Sequence, residues 1–233
     1  MRVFGKGFNF SEDGPGNRLV YHLSGCNMHC PWCSNPDGMD ALAGKCYTME
    51  ELLSEALSAK AMFFSGGGVT FTGGEATLWH DELLPLLREL RQNGVNTAIE
   101  TNGTSPRLLS LLDEVDYLMM DFKHYDSAAL LAVAGEGNEI LKQNFEAIAK
   151  SGREAHIRIP LINGFNTANP DGFADYFAAH ASEAMVFELL PYHEYGKSKW
   201  KTPYAVENGF VSSETLLRFE EVFLAHGLKL VKT

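Results

Sequence analysis

Apolar and polar residues along this chain follow two periods, and segments of the two kinds succeed each other in a regular order. Short apolar runs predict strands at 19–24, 69–72, 97–100, 117–122, 155–159 and 185–190. Apolar residues that recur every three or four positions predict helices at 49–59, 82–93, 106–114, 141–151, 171–181 and 213–226. Strands that alternate with helices across short connections indicate a parallel sheet covered by helices.

Residues beside the helices support these boundaries. Thr48 and Glu51 form a capping box at the start of the first helix, and Gly94 and Gly152 follow two other helices, where glycine commonly ends them. Six strand–helix units predict an α/β fold of the TIM-barrel type with six units in place of eight, a partial (β/α)6 barrel. In such a fold, functional groups gather at the carboxyl ends of the strands.

Composition narrows the class of protein. The 233 residues are 45% hydrophobic, which is enough for one sizeable core, and carry a net charge of −11, which disfavours a nucleic-acid partner. The chain has neither an apolar run of membrane-spanning length nor an apolar signal segment at its start. Four cysteines, three of them clustered, do not resemble a disulfide framework and favour a reducing cytoplasm.

The clustered cysteines are the most informative chemical feature. Cys26, Cys30 and Cys33 form a C-x3-C-x2-C run, and three thiolates can hold three irons of a [4Fe–4S] cube while the fourth iron stays open to a small molecule. The alternative is a zinc site with Cys46 or His29 as fourth ligand, although the second pair of ligands typical of structural zinc is missing. Trp32 is either a core residue or a face on which an adenine-like ring stacks.

The cysteine run, with an aromatic residue before its third cysteine, resembles the signature of the radical S-adenosylmethionine (SAM) superfamily. Within that superfamily the chain is similar to the glycyl-radical-enzyme activating enzymes, especially those of pyruvate formate-lyase. The similar segments are DGPG-x-R at 13–18, GGGVTFTGGEATL at 66–78, ETNG at 100–103, MMDFK at 119–123 and ELLPYH-x-x-G-x-x-K-W at 188–200. Because they occur in order over essentially the whole length, we expect residues 1–233 to form a single radical SAM domain.

The resemblance implies that Cys26, Cys30 and Cys33 bind one [4Fe–4S] cluster and that SAM chelates the open iron. The resemblance also implies that Lys123 is catalytic together with these three cysteines. The residues expected to bind SAM are Trp32, Cys33, Ser34, Gly73, Gly74, Glu75, Glu100, Asp121, Phe122, Lys123, Arg158 and His193. Paired glycines let a backbone approach a ligand closely and a carboxylate accepts from an ammonium group, but Gly-Gly-Glu is also typical of a strand-ending turn with a solvated glutamate.

The resemblance also implies a monovalent cation beside SAM. Its oxygen ligands would be Glu100, Thr101, the backbone of Met119, and Asp121, which suit Na⁺ or K⁺. Glu100 replaces an aspartate of the relatives, which leaves the identity of the ion open, and Ser34 stands where the relatives carry histidine.

Two loops are candidates for contact with a substrate. Asp13 and Gly14 are expected to contact a bound substrate peptide, or else to form a Gly-Pro turn with a structural arginine. The segment Gly135-Glu136-Gly137 is expected to shape the same cleft. The stretch between Cys33 and Met49 holds one cysteine, so we expect no ferredoxin-like insert and no second cluster.

The implied function is activation of a glycyl radical enzyme. Flavodoxin or ferredoxin reduces the cluster, SAM is cleaved to methionine and a 5′-deoxyadenosyl radical, and that radical removes hydrogen from a backbone glycine of the partner. The family implies a monomer. Two alternatives remain at this point: a radical SAM enzyme with a different peptide or small-molecule substrate, and a non-catalytic iron–sulfur or zinc module.

Overall fold

The computed structural model describes residues 1–231 of the chain. Its strands are β1 Arg2–Ser11, β2 Gly14–Leu23, β3 Lys45–Cys46, β4 Gly68–Gly73, β5 Asn96–Thr101, β6 Tyr117–Asp121, β7 Ala155–Leu161 and β8 Met185–Pro191. Its α-helices are α1 Met49–Ser58, α2 His80–Gln92, α3 Ser127–Ala134, α4 Glu139–Ser151, α5 Pro170–His180 and α6 Ser213–Ala225. Short 3-10 helices occupy Pro36–Met39, Lys60–Met62, Ala76–Trp79, Leu108–Glu114 and Lys197–Lys199.

The hydrogen-bonded strand order is β3-β1-β2-β4-β5-β6-β7-β8. Strand β2 pairs in parallel with β4, β4 with β5, and β7 with β8, whereas β1 pairs antiparallel with both β2 and β3. Each of the six strands expected from the apolar runs is present. The prediction of an α/β fold on a mainly parallel sheet is therefore confirmed.

Four elements differ from the sequence prediction. Strand β1 and the two-residue β3 were not predicted, because the glycines of β1 interrupt its apolar alternation and β3 is too short to show one. Helix α3 was missed because its residues are almost uniformly apolar or small, which leaves no 3.6-residue period. The helix expected at 106–114 is a 3-10 helix over Leu108–Glu114.

Helix ends follow the local chemistry that the sequence suggested. The Thr48 side chain accepts from the N–H of Glu51 at 3.2 Å, and the Glu51 side chain accepts from the N–H of Thr48 at 2.8 Å. Gly152 ends α4 in the left-handed conformation, as predicted, and Gly135 ends the unpredicted α3 in the same way. Glycine adopts this conformation without steric cost. Among the described residues, no helix is both long and apolar enough to span a membrane.

The chain divides into two compact units. The first unit comprises Met1–Asn27, Asn35–Thr101 and Arg107–Met119. Its core holds mainly aliphatic side chains from α1, α2 and the strands that they cover, such as Leu52, Leu83, Leu86 and Val69. Burying each such side chain contributes about 1.5–3 kcal/mol, so this core is the main stabilising feature of the first unit.

The second unit comprises Met28–Ser34, Asn102–Pro106 and the chain from Met120 onward. Its core is aromatic. Phe122 and Phe177 pack edge to face with ring centroids 4.8 Å apart, and Phe177 also contacts Phe187 at 4.7 Å and Phe223 at 5.9 Å. Such pairs add about 0.5–1.5 kcal/mol to the burial of their area, and they anchor Phe122 and β8 against α5 and α6.

Candidate active site

Two glycines at the carboxyl end of β4 let this strand lie directly against the main chain that precedes Cys26. A Cβ atom on Gly73 would come within 3 Å of backbone atoms of Leu23, and one on Gly74 within 3 Å of the carbonyl of Gly25. The N–H of Gly74 donates to Leu23 O, and that of Glu75 to Gly25 O, both at 2.8 Å. In the structure, these glycines lie close to the chain leading into the cysteine run, and their close approach to a ligand stays a prediction.

Glu75 is buried, with 1% of its surface exposed. Its Oε1 accepts from the N–H of Thr77 at 3.0 Å, from Thr77 Oγ1 at 2.6 Å and from Thr101 Oγ1 at 2.7 Å. The alternative of a solvated glutamate is therefore wrong. The structure brings together two residues for which the sequence predicts different ligands, SAM for Glu75 and a cation for Thr101.

The side chain of Glu100 also accepts a hydrogen bond from a residue of the first unit. Thr72 Oγ1 donates to Glu100 Oε2 at 2.6 Å, so the side chain of Glu100 is directed to the end of β4. Met119 is buried in β6. The cation-binding role of these residues stays a prediction.

Asp13 and Gly14 lie at the turn between β1 and β2, at the amino-terminal end of β2. Strand β2 runs parallel to β4 with Leu23 opposite Gly73, so the turn and the Gly-Gly-Glu corner are at opposite ends of β2. Nine residue-to-residue steps lead from Gly14 to Leu23, or about 30 Å at 3.3 Å per step. Contact of Asp13 and Gly14 with a substrate peptide stays a prediction, and their placement is far from Gly73.

The arginine of the same motif is structural. Arg18 is fully buried and donates from Nε to Thr70 Oγ1 at 2.6 Å and from Nη2 to Val69 O at 2.8 Å. Burial lowers the pKa of Arg18 to about 10, so the guanidinium is still charged at neutral pH. The alternative interpretation of this segment, a Gly-Pro turn with a structural arginine, fits these contacts.

In the second unit, charged residues from β6, β7 and β8 form a continuous network. Lys123 Nζ lies 2.8 Å from Asp121 Oδ2, and Arg158 Nε lies 3.9 Å from both Asp121 Oδ1 and Glu188 Oε2. His156 Nε2 lies 3.1 Å from Glu188 Oε2. Burial alone would raise the pKa of Asp121, but the charges of Lys123 and Arg158 outweigh it and hold that pKa below its usual value.

The second and third cysteines lie in this unit, and Cys30 is close to the network. Cys30 is buried and Cys33 is half-buried, and none of the four cysteines of the chain forms a disulfide. Burial raises the pKa of the Cys30 thiol to about 11, although the positive charge of Lys123 acts in the opposite direction. A metal that binds Cys30 must therefore displace a proton.

Helix α3, which the sequence did not predict, contacts residues 28–34, which carry Cys30 and Cys33 and which we call the cysteine loop. The N–H of His29 donates to Ala134 O at 2.8 Å, and the adjacent Gly135 lies close to the His29 ring. The segment Gly135-Glu136-Gly137, expected to shape the substrate cleft, thus begins beside the loop that carries Cys30.

The remaining predicted residues of the second unit have different environments. The half-buried Trp32 packs its ring on Phe165, with centroids 4.6 Å apart, and the exposed His193 stacks on Tyr195 at 4.3 Å. The Phe122 side chain is fully buried in the aromatic core, which restricts its predicted contact with SAM to main-chain atoms. Its N–H donates to Arg158 O at 2.8 Å.

Comparison with known proteins gives the family. The model of the Radical SAM superfamily matches residues 20–177. The chain belongs to the radical SAM superfamily. It is 34% identical over 194 residues to the pyruvate formate-lyase-activating enzyme of Clostridium pasteurianum, and this match covers 81% of each chain. It is 28% identical over 256 residues to the benzylsuccinate synthase activating enzyme of Thauera aromatica, which covers 81% of this chain and 77% of that one.

A solved structure agrees with the radical SAM assignment. A domain of the pyruvate-formate lyase-activating enzyme of Bacteroides vulgatus ATCC 8482 superimposes with a TM-score of 0.61 and 26% identity, covering 71% of this chain and 98% of that one. The α/β fold of the radical SAM kind is thereby confirmed.

The radical SAM family implies a [4Fe–4S] cluster and SAM, and the donor set is compatible with the cluster. Among residues 1–231, no three His, Cys, Asp or Glu side chains converge as the ligands of one metal ion would. In a cube each thiolate binds a different iron, so its ligands need not converge on one point. Three thiols free of disulfides fit such a cluster, and the ligand role of each cysteine stays a prediction.

Several residues at this radical SAM site were not singled out from the sequence. His156 and Glu188 complete the charged network around Arg158, and Lys199 and Trp200 bond to the cysteine loop. Glu188, Lys199 and Trp200 belong to the ELLPYH-x-x-G-x-x-K-W segment, so that motif held a signal. His156 had none, because a histidine within an apolar strand is not distinguishable from an ordinary core residue.

Proposed function

We propose that this chain is a glycyl-radical-enzyme activating enzyme, with pyruvate formate-lyase as the partner best supported by its relatives. Bound at Cys26, Cys30 and Cys33, the cluster would supply the electron that cleaves SAM, and the resulting 5′-deoxyadenosyl radical would remove a hydrogen atom from a backbone glycine of the partner. The curated relatives include activating enzymes of both pyruvate formate-lyase and benzylsuccinate synthase. The family supports the chemistry more strongly than it supports one partner.

One observation carries the proposal. Cys30, a predicted cluster ligand, is buried within the electrostatic influence of Lys123 and Asp121, two residues predicted to bind SAM. These residues come from separate motifs of the chain, yet the fold of the second unit brings them together. A zinc or iron–sulfur module without a substrate has no need for a charged network beside its metal ligand.

The chain's own residues would bind and orient SAM through opposite charges. SAM carries an ammonium, a carboxylate and a sulfonium, so its binding requires groups of both signs. The buried carboxylate of Glu75 is suited to the ammonium group, and Lys123 and Arg158 are suited to the carboxylate. Burial around these groups also excludes water, which strengthens the electrostatic interactions made with the ligand.

Further assignments belong to the same proposal. Glu100, Thr101, Met119 through its carbonyl, and Asp121 would supply oxygen ligands for Na⁺ or K⁺. Trp32, Ser34, Gly73, Gly74, the main chain of Phe122, and His193 would border SAM. We also infer that the protein is a monomer with one radical SAM domain and no ferredoxin-like insert. We further infer that flavodoxin or ferredoxin reduces its cluster in the cytoplasm and that its substrate is the glycine-loop peptide of the partner.

The experiment is an anaerobic activation assay read by electron paramagnetic resonance. The reconstituted, reduced protein is mixed with SAM and, in separate samples, with pyruvate formate-lyase and benzylsuccinate synthase. We expect the doublet of a glycyl radical with pyruvate formate-lyase and no doublet from the Cys30→Ala variant. A doublet with benzylsuccinate synthase alone would correct the partner. SAM cleavage without a radical on either enzyme would favour a different peptide or small-molecule substrate, and reconstituted protein that does not cleave SAM would contradict the proposal.

A further inference from the structure

A segment near the carboxyl terminus contacts the main chain that follows the third cysteine. Trp200 Nε1 donates a hydrogen bond to Cys33 O at 3.1 Å, and Lys199 Nζ donates to Ser34 O at 3.0 Å. We refer to residues 194–204 as the strap. Both bonds join parts of the second unit that are more than 160 residues apart in the sequence.

Gly196 brings the strap into direct contact with this loop. A Cβ atom on Gly196 would come within 3 Å of the Cα, C and O atoms of Ser34. The backbone of Gly196 has φ −87° and ψ −12°, which any residue can adopt. The requirement for glycine at this position is therefore one of space and not of backbone conformation.

The strap is also ordered by contacts of its own. The hydroxyl of Tyr204 is hydrogen-bonded to that of Tyr192 at 2.7 Å. The rings of Trp200 and Tyr204 pack edge to face with centroids 5.7 Å apart. A segment that is already ordered loses little conformational entropy when it holds a second loop.

We propose that the strap positions Cys33 for the cluster, an inference that rests on the proposed function. Trp200 and Lys199 are positioning residues. They bond to the carbonyl oxygens of Cys33 and Ser34 and so restrict the position of the Cys33 thiol. Trp200 and Lys199 have no role in the cleavage of SAM or in hydrogen abstraction.

The arrangement of the strap does not depend on the side chain of Ser34. The contacts described above between the strap and the loop that carries Cys33 all reach main-chain atoms of Cys33 and Ser34, and none depends on the side chain at position 34. A change of side chain at 34 therefore leaves the positioning of Cys33 intact.

The size of the effect follows from the number of contacts. Loss of one hydrogen bond is expected to raise the population of an open loop by about twofold to tenfold. Gly196→Ala separates the strap from Ser34 and weakens both bonds, so it is expected to have a larger effect than Trp200→Phe or Lys199→Met. Lys197→Met is the matched control, because the partly exposed ion pair of Lys197 with Glu194, 2.9 Å from Nζ to Oε1, is made within the strap and contributes little.

The test measures the reactivity of Cys33 in the metal-free protein under anaerobic conditions. Iodoacetamide alkylation is followed peptide by peptide by mass spectrometry, and the exposed Cys46 serves as the reference thiol within each chain. The ratio of the Cys33 rate to the Cys46 rate should rise about fivefold to tenfold in Trp200→Phe and Lys199→Met, and further in Gly196→Ala. Lys197→Met and Gly7→Ala, whose Cβ meets no atom within 4 Å, should match the wild type.

Unchanged ratios in Trp200→Phe, Lys199→Met and Gly196→Ala would overturn the proposal, as would an equal rise in Lys197→Met. Lys199 is exposed, so its variant keeps the test decisive where the tryptophan variant does not fold. In the reconstituted protein, the same variants should lose iron to a chelator about tenfold faster than the wild type. Because the alkylation test needs no cluster, it decides the role of the strap even where the proposed function fails.

Discussion

Two groups of residues for which the sequence predicts contact with SAM are held in place by different forces. In the first unit, the corner at Gly73, Gly74 and Glu75 is fixed by main-chain contacts that leave no room for a side chain at the glycines. In the second unit, Asp121, Lys123 and Arg158 are held by opposite charges, to which Glu188 contributes, with separations of up to 3.9 Å.

The difference predicts different tolerance to substitution. Close contacts between main chains cannot relax without a shift of the backbone, so even one added carbon atom is costly. A charged network can rearrange, and its members contribute through the balance of charge as well as through their exact position. Substitution should therefore affect stability most in the first group and ligand affinity most in the second.

The largest effect is expected from Gly74→Ala. The new Cβ would come within 3 Å of the carbonyl oxygens of Gly25 and Gly38, which forces the end of β4 away from the chain before Cys26. We expect a loss of at least about 3 kcal/mol in the free energy of unfolding, measured by urea denaturation. Gly7→Ala is the control, and similar losses in both variants would show that the corner is not specially constrained.

A smaller loss is expected from Glu188→Gln. Glu188 and His156 are both nearly inaccessible to solvent, and removal of the carboxylate charge leaves Arg158 with less compensation. We expect about 2 kcal/mol of destabilisation by urea denaturation. Glu183→Gln, a change at an exposed residue two positions before β8, should alter the free energy of unfolding by less than about 0.5 kcal/mol. Equal values for the two variants would mean that the network adds nothing to stability.

The smallest change in free energy is expected from Lys123→Met, and it should appear in binding. Loss of this charge removes a candidate partner of the SAM carboxylate, so the Kd for SAM should rise about tenfold, or 1.4 kcal/mol. Isothermal titration calorimetry of the reconstituted protein measures it. Lys150→Met, at an exposed helical site, provides the comparison, and an unchanged Kd in Lys123→Met would remove Lys123 from the binding site.

Sequence patterns predicted the parts of the fold that depend on local periodicity. The six strands with apolar runs, the capping box at Thr48 and the helix end at Gly152 were all predictable, because each depends on residues close together in the chain. Strand β1 was not, since its place in the sheet depends on pairing with β2 and not on apolar alternation. The 3-10 helix over Leu108–Glu114 shows that a period of about three residues does not distinguish it from an α-helix.

At the candidate site, the sequence suggested candidate residues but did not show how the fold holds them. The Gly-Gly-Glu motif suggested a close backbone approach, but its partner, the chain at Leu23–Gly25, became apparent only in three dimensions. The bond from Trp200 to Cys33 joins residues 167 positions apart, and no local pattern encodes such a contact. Asp13 and Gly14 show the converse, since a recognisable motif lies at the opposite end of β2 from Gly73.

The most direct test of the account is the electron paramagnetic resonance spectrum of the reduced, reconstituted protein with and without SAM. We expect about four irons per chain and a spectrum that changes when SAM binds the open iron, whereas Cys30→Ala should lack both the cluster and the change. A spectrum indifferent to SAM, or a full complement of iron in Cys30→Ala, would contradict the claim that three cysteines hold a cluster with one open iron.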